Sequence, residues 1–121
     1  MSQATTIDPQ ALDRLREWGG DKLVAQMIRL FISNAGERVE QIRTGVSGEE
    51  VREAEMGAHS LKSSAANLGA ERVRALAAAI ESAAANGEME PVVDQLPELE
   101  VAFAAAVEEL ESIERGISNE S

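Results

Sequence analysis

Apolar residues in this chain recur at alternating spacings of three and four over most of its length, and this periodicity limits the folds that it can adopt. The spacing is that of one face of an α-helix, and the stretches are separated by short segments containing Gly, Asn, Pro or Asp. Aromatic residues make up only 2% of the chain, which favours helices packed through small side chains over a β-sheet. We therefore predict an all-α fold: an antiparallel up-down-up-down four-helix bundle with a short additional N-terminal helix.

Apolar spacing and end signals place five helical stretches, at about 9–18, 21–43, 48–68, 70–85 and 91–117. Ser47 and Glu50 form a candidate capping box that would start the third helix, and Gly69 suits a left-handed cap at its end. Pro97 either kinks the last helix or marks its true start.

The length of 121 residues predicts one domain over residues 1–121, with residues 1–7 as a loose N-terminal arm and residues 118–121 as a frayed C-terminus. In the first helix, Leu12, Leu15 and Trp18 are expected to share a packed face. This short helix would then lie across one end of the bundle.

The charge and the missing residue types narrow the classes of partner. A net charge of −11 disfavours nucleic acid and anionic membrane surfaces, so we expect protein partners; the other interpretation is that the charge only keeps the domain soluble. The chain has no Cys, no apolar run that approaches the roughly 20 residues of a membrane span, and no secretory leader. These features predict a cytoplasmic protein.

The second helix carries more apolar surface than one core contact requires. Its apolar residues, from Leu23 to Val46, cover an arc of roughly 200° on an ideal helix. Two interpretations are open: the helix is buried on two sides by its own domain, or part of the arc is a docking surface for a partner.

His59 is the only histidine of the chain and is predicted to face solvent on the third helix. Ideal geometry places it roughly 130° from the centre of the apolar stripe of that helix. Its surface neighbours are Glu55, Lys62, Ser63 and Ala66. An imidazole beside a cation can act as a nucleophile, although an ordinary surface histidine fits the same pattern.

Other familiar chemistries lack their residues in this sequence. There is no glycine-rich nucleotide loop, no Cys nucleophile, and no pair of Glu-x-x-His motifs for a di-metal centre. A neutral imidazole can, however, attack an acyl phosphate when it is exposed and flanked by positive charge. His59 with Lys62 meets that description.

Residues 58–70, AHSLKSSAANLGA, closely resemble the signature AHxLKGSxxxLGA of histidine-containing phosphotransfer (HPt) domains. The resemblance extends to helix order and length over nearly the whole chain, and it implies a four-helix bundle with an accessory helix. His59 would be the phosphoacceptor, Lys62 an electrostatic helper beside it, and Asn67 and Gly69 structural parts of the motif.

The resemblance implies a multistep phosphorelay. The domain would take a phosphoryl group from the aspartate of one response-regulator receiver domain and pass it to another, or run the transfer backwards. It implies a phosphoryl carrier and not a stand-alone kinase, with no ATP site and no cofactor, and any Mg²⁺ would belong to the receiver. A hybrid sensor histidine kinase is a further candidate partner, and we expect a monomer.

One position departs from the signature. The family usually has glycine four residues after the histidine, and this chain has Ser63. Glycine there lets the receiver approach the imidazole, so we expect Ser63 to alter the rate or the choice of partner while transfer persists. The other interpretation is that its hydroxyl bonds to the phosphoryl group or to the imidazole ring. The alternative function is a non-catalytic helical interaction module, either a degenerate phosphotransfer domain or a dimeric bundle.

Overall fold

Four helices build the computed structural model, which describes the backbone of residues 7–120 and the side chains of residues 7–118. They are α1 (Pro9–Ser47), α2 (Val51–Leu68), α3 (Glu71–Ala85) and α4 (Met89–Glu120). Connections of two or three residues make consecutive helices antiparallel. The main packing pairs are α1 with α2, α2 with α3, α3 with α4, and α4 with α1. The predicted up-down-up-down bundle is confirmed.

The predicted additional helix is the first part of α1, which is interrupted at two glycines. Gly19 and Gly20 have non-helical backbone angles, and Gly20 has φ of 71°, in the left-handed region that favours glycine. The helix begins as predicted after Asp8, whose side chain accepts a hydrogen bond from the backbone N–H of Gln10 at 3.0 Å. Two helical segments of α1 therefore meet at a kink.

The segment before α1 is tied to the turn between α2 and α3. Ile7 is only 2% exposed and forms an isolated antiparallel bridge with Ala70, while the Asp8 N–H donates to the Gly69 carbonyl at 2.7 Å. The predicted loose arm is therefore wrong at Ile7, because an apolar side chain and a backbone donor both find partners there. Residues 1–6 of that arm lie outside the described residues.

Trp18 does not share the packed face of the first helical segment, which corrects the prediction. Leu12 is buried and Leu15 is partly buried, but Trp18 is 86% exposed. Six residues of α-helix turn Trp18 about 120° away from the direction of Leu12, which explains the difference. Leu12 and the buried Ala11 join the core beside the α2–α3 turn.

The predicted capping box at the start of α2 is wrong. Ser47 is the last residue of α1, and Glu50 is the N-cap of α2 without a side-chain hydrogen bond. The Glu50 N–H instead donates to the Gly45 carbonyl at 2.7 Å. A Cβ atom on Gly45 would lie 2.7 Å from the backbone nitrogen of Ala54, so the two helices approach closely here.

The predicted glycine cap at the other end of α2 is confirmed. Gly69 has φ of 75° and donates its N–H to the Ala66 carbonyl at 3.2 Å, while the Ala70 N–H donates to Ala65 at 2.9 Å. These two bonds form the Schellman pattern, which satisfies the last carbonyls of the helix. The chain then enters α3 at once.

The last helix begins before both of its prolines. It starts at Met89, has Pro91 in its first turn and continues through Pro97, which is therefore not its start. The backbone is still helical at residues 118–120, where fraying was predicted, and Ser121 lies outside the described residues. Within residues 7–120, no helix combines the length and the apolarity needed to cross a membrane.

The wide apolar arc of the second predicted helix is mostly used inside the bundle. Val24, Ile28 and Phe31 of α1 are buried, and the Phe31 ring packs against Phe103 of α4 with centroids 6.1 Å apart. Because α1 packs on both α2 and α4, burial on two sides accounts for most of the arc. Leu30 is the residue of this arc that stays exposed, with 52% of its surface accessible to solvent.

Candidate functional site

His59 projects from α2 on the side opposite to the core. Its neighbours Ala58 and Leu61 are fully buried, whereas its own side chain is 65% exposed. The helical periodicity that places the small apolar residues inward also places the imidazole outward. The helix that bears it packs against both α1 and α3.

The carboxylate of Glu81, on α3, contacts two side chains of α2. One oxygen, Oε2, lies 2.7 Å from the Nδ1 atom of His59. The other oxygen, Oε1, lies 2.7 Å from the Nζ atom of Lys62. The Glu81 side chain is only 21% exposed, so this three-residue cluster is partly shielded from solvent although the imidazole is not.

These contacts determine the protonation pattern of the cluster. The hydrogen bond from Lys62 is the main cause that holds the pKa of Glu81 below its usual value; the hydrogen bond with His59 acts in the same direction, and burial opposes both. Glu81 is therefore ionised at neutral pH and can only accept hydrogen bonds. The Nδ1 atom of His59 must then carry a hydrogen, so in the neutral imidazole the lone pair lies on Nε2.

The Nε2 atom is available for chemistry. Within the part of the chain that the structure describes, it has no hydrogen-bond partner. A neutral imidazole whose Nδ1–H is held by a carboxylate presents a basic, oriented Nε2, the same arrangement that orients catalytic histidines in other proteins. The cluster can thus present an exposed nitrogen nucleophile of fixed orientation.

The other predicted site residues lie around this cluster without joining it. Ser63 and Ala66 are exposed on α2 towards its C-terminal end. Glu55 is half-buried and lines the same depression as His59. Gly69 is buried in the α2–α3 turn, and Asn67 is exposed beside α1.

Two depressions flank the face of α2 that bears His59. The histidine groove, between α2 and α3, is lined by Arg52, Glu55, Met56, His59, Ser60 and Glu81. The α1–α2 groove is lined by Met27, Leu30, Phe31, Asn34, Ser64, Asn67 and Leu68. The exposed apolar side chains Leu30 and Met56 each border one of them. Among residues 7–120, no three His, Asp or Glu side chains are arranged to hold a metal ion.

Glu81 is the residue that reasoning from one helix missed. Two signals in the sequence point to it. It is the only charged residue between Arg74 and Glu88, and it is nearly as far along the chain from the Gly69–Ala70 turn as His59 is. In an antiparallel helix pair, residues at equal distances from the turn face each other, so a carboxylate near position 80 is expected beside the histidine.

The comparisons with known proteins agree with this architecture. The crystal structure of histidine-containing phosphotransfer protein B (HptB) from Pseudomonas aeruginosa PAO1 superimposes with a TM-score of 0.87. The match covers 93% of this chain and 97% of that chain at 20% sequence identity, which shows a shared fold. The search of curated proteins gave no significant match.

A four-helix bundle with one exposed, carboxylate-backed histidine has the form of a phosphoryl carrier. The family model described as the Hpt domain matches residues 26–114, which include all of α2 and α3. The chain belongs to the Hpt domain family, and it is accordingly a histidine phosphotransfer protein. Proteins of this family carry phosphoryl groups and are not kinases.

Proposed function

We propose that His59 is the phosphoacceptor of a multistep phosphorelay, loaded from the aspartyl phosphate of one receiver domain and discharged to another. The observation that carries this proposal is the 2.7 Å contact between Glu81 and Nδ1, because it leaves an exposed Nε2 lone pair. The motif around His59 and the family of the chain support the same assignment.

The chemistry needs only one bond to form and one to break. The Nε2 lone pair attacks phosphorus in line, and the bond from phosphorus to the aspartate oxygen of the receiver breaks as the aspartate leaves. The imidazole ring then carries positive charge, which the Glu81 carboxylate offsets through Nδ1–H. Transfer to a second receiver is the reverse reaction, so the same geometry serves both directions.

Lys62 acts in this proposal through Glu81. Its ammonium contacts Oε1 of Glu81, which keeps that carboxylate ionised and oriented towards the imidazole. This role differs from that of a helper that binds the phosphoryl group directly, since the ammonium is already paired. Lys62 is therefore a positioning residue.

We assign receiver docking to the face of α2 around His59 and to the α1–α2 groove. The exposed Leu30 at that groove supplies apolar surface that the core does not use. Mg²⁺ would be supplied by the receiver, and this chain would need no cofactor. The net charge of −11 disfavours self-association, so the carrier would act as a monomer.

Phosphoryl transfer from a labelled, phosphorylated receiver domain to the full chain tests the proposal. Label should appear on the wild type as an acid-labile, base-stable adduct and should be absent from His59→Gln. The matched control is Glu108→Gln, at an exposed position of α4, which should accept label like the wild type. Circular dichroism checks that both variants keep the helical fold.

Two results would count against the proposal. Label on the His59→Gln variant would place the acceptor elsewhere. Equal binding of a receiver with and without His59, together with no label on the wild type, would favour the alternative of a non-catalytic interaction module. A panel of phosphorylated receivers, tested in both directions, identifies the partners and the direction of flux.

A further inference from the structure

A phosphoryl group on His59 would bring negative charge into a groove that already holds two carboxylates. Glu55 and Glu81 both line the histidine groove with the imidazole. The cation nearest in the motif, Lys62, is committed to Glu81 at 2.7 Å. The site therefore needs a positive charge that is not already paired.

Arg52 is a candidate for this charge. It lines the histidine groove together with His59, and its side chain is exposed. Within residues 7–120 it forms no ion pair and no hydrogen bond, even with Glu55 three residues along α2. Its position seven residues before His59 puts both on nearly the same face of α2, about 10 Å apart along the axis.

Both side chains lean towards the N-terminus of the helix, so the length of the arginine side chain must close this separation. Side chains on a helix lean towards its N-terminus, so the imidazole of His59 covers the turn that bears Glu55 and Met56. Both of these residues line the groove with it. The long, flexible side chain of Arg52 begins one turn before them and can reach the groove from its N-terminal end.

We propose that Arg52 binds the phosphoryl group carried on Nε2 of His59 and stabilises the phosphorylated carrier. The guanidinium group is planar and always charged, and it can donate two parallel hydrogen bonds to phosphoryl oxygens. The assignment rests on His59 being the phosphoacceptor. It separates two cationic roles: Lys62 orients the imidazole through Glu81, and Arg52 binds the transferred group.

Loading the full chain with phosphoramidate tests this role without a receiver. In that reaction, the phosphorus–nitrogen bond of the donor breaks as phosphorus bonds to Nε2, and ammonia leaves. We would compare wild type, Arg52→Gln and Arg52→Lys with Arg115→Gln as the matched control. Arg115 is an exposed arginine of α4, without an ion pair among the described residues, on a helix that packs mainly on α1 and α3.

Phosphorus NMR then reports on the loaded group. A nearby cation favours the dianion, so the phosphoryl pKa should be higher in Arg52→Gln than in wild type and in Arg115→Gln. The equilibrium with a phosphorylated receiver should shift away from the carrier by about two- to fivefold, the range of an exposed ion pair. Both the phosphoryl pKa and the equilibrium of Arg52→Lys should lie between those of wild type and Arg52→Gln. Lysine keeps the positive charge but cannot donate the two parallel hydrogen bonds of the guanidinium group.

The outcomes separate the two assignments. A wild type that takes no phosphoryl group from either donor overturns the proposed function and this inference with it. A loaded Arg52→Gln with the phosphoryl pKa and the equilibrium of the control overturns only the role of Arg52. Slower transfer from the receiver alone, with an unchanged phosphoryl pKa, also overturns it, since Arg52 would then act in docking.

Discussion

Glu81 holds Nδ1 of His59 at 2.7 Å across the interface between α3 and α2, while its other oxygen holds the ammonium of Lys62. The imidazole is thereby fixed by a residue on a different helix, although its outer side stays open to solvent. In this arrangement the carboxylate sets the tautomer and the direction of the ring. The imidazole is exposed, and the groups that orient it are partly buried.

Replacing Glu81 should slow loading of His59 without removing the acceptor. We expect Glu81→Ala to reduce the rate with phosphoramidate by about tenfold, the effect of one charge-assisted hydrogen bond. Glu81→Gln should lose less, because its amide oxygen can still accept from Nδ1–H. Nitrogen NMR should show a smaller fraction of the Nδ1–H tautomer in the alanine variant. Glu71→Ala, which removes an exposed ion pair with Arg74 on the same helix, is the control.

Glu81 should also contribute to stability in a pH-dependent way. Its pKa is lowered in the folded state from a reference of 4.5, so its contribution is complete above that value and is lost as the pH falls through the lower, folded pKa. The free energy of unfolding of Glu81→Gln should thus be lower than that of wild type by about 0.5–1 kcal/mol at pH 7. Urea denaturation at pH 7 and near pH 3 measures this difference. A difference that stays constant with pH would assign the effect to packing.

Ser63→Gly should accelerate transfer from a receiver and leave loading by phosphoramidate unchanged. The serine is exposed one turn after His59, where a docking protein would meet it and a small donor would not. Glycine should also lower the free energy of unfolding by about 0.5 kcal/mol through its poorer helix propensity. Ser82→Gly, at an exposed site on α3, should show the stability loss without the kinetic gain.

Gly45→Ala should destabilise the bundle even though alanine is the better helix former. A Cβ atom at this position would lie 2.7 Å from the backbone nitrogen of Ala54 and 3.0 Å from the Glu50 carbonyl. We expect a loss of about 1–3 kcal/mol in the free energy of unfolding, as for other overpacked sites. Gly36→Ala on the same helix meets only a ring carbon of Phe103 at 4.0 Å. It should stabilise the chain by up to about 1 kcal/mol. Equal effects of the two substitutions in urea titrations would contradict the close approach.

Features set by neighbouring residues were predictable from the sequence. The Asp8 cap, the Gly69 cap and the outward direction of His59 all depend on residues within a few positions of one another. The capping box at Ser47 and Glu50 failed because α1 extends to Ser47 and a backbone carbonyl, that of Gly45, takes the Glu50 N–H. The close approach of α1 and α2 at this point therefore outweighs the local sequence signal for a capping box.

At Pro97 in α4, tertiary packing also outweighs a local sequence signal. A proline inside a helix costs about 3 kcal/mol, which makes a helix start at this point a reasonable expectation. Leu96 and Leu99, on either side of it, are buried in the core. Each contributes roughly 1.5–3 kcal/mol by burial, so continuing the helix through the proline is favourable overall. Such a balance depends on contacts with other helices and is absent from local sequence.

The site was predictable only as far as α2. His59 and Lys62 share a face of one helix, which periodicity reveals, whereas Glu81 contributes through the register between two helices. That register follows from the length of the α2–α3 connection and the packing of both helices. The contact of Lys62 with Glu81 is likewise absent from the pattern of one helix, and the positioning role that we propose for Lys62 depends on it.

The turn at Gly69 and Ala70 determines the register between α2 and α3 at the site. It lies about 15 Å along α2 from His59, yet it sets which residue of α3 arrives opposite the imidazole. One residue inserted into α3 between this turn and Glu81 would rotate Glu81 by about 100° around the helix and turn it away from Nδ1. The bridge to Ile7 and the bond from Asp8 clamp this turn from outside. The orientation of the imidazole thus depends on a turn at the far end of its own helix, and on the residues before α1 that hold this turn.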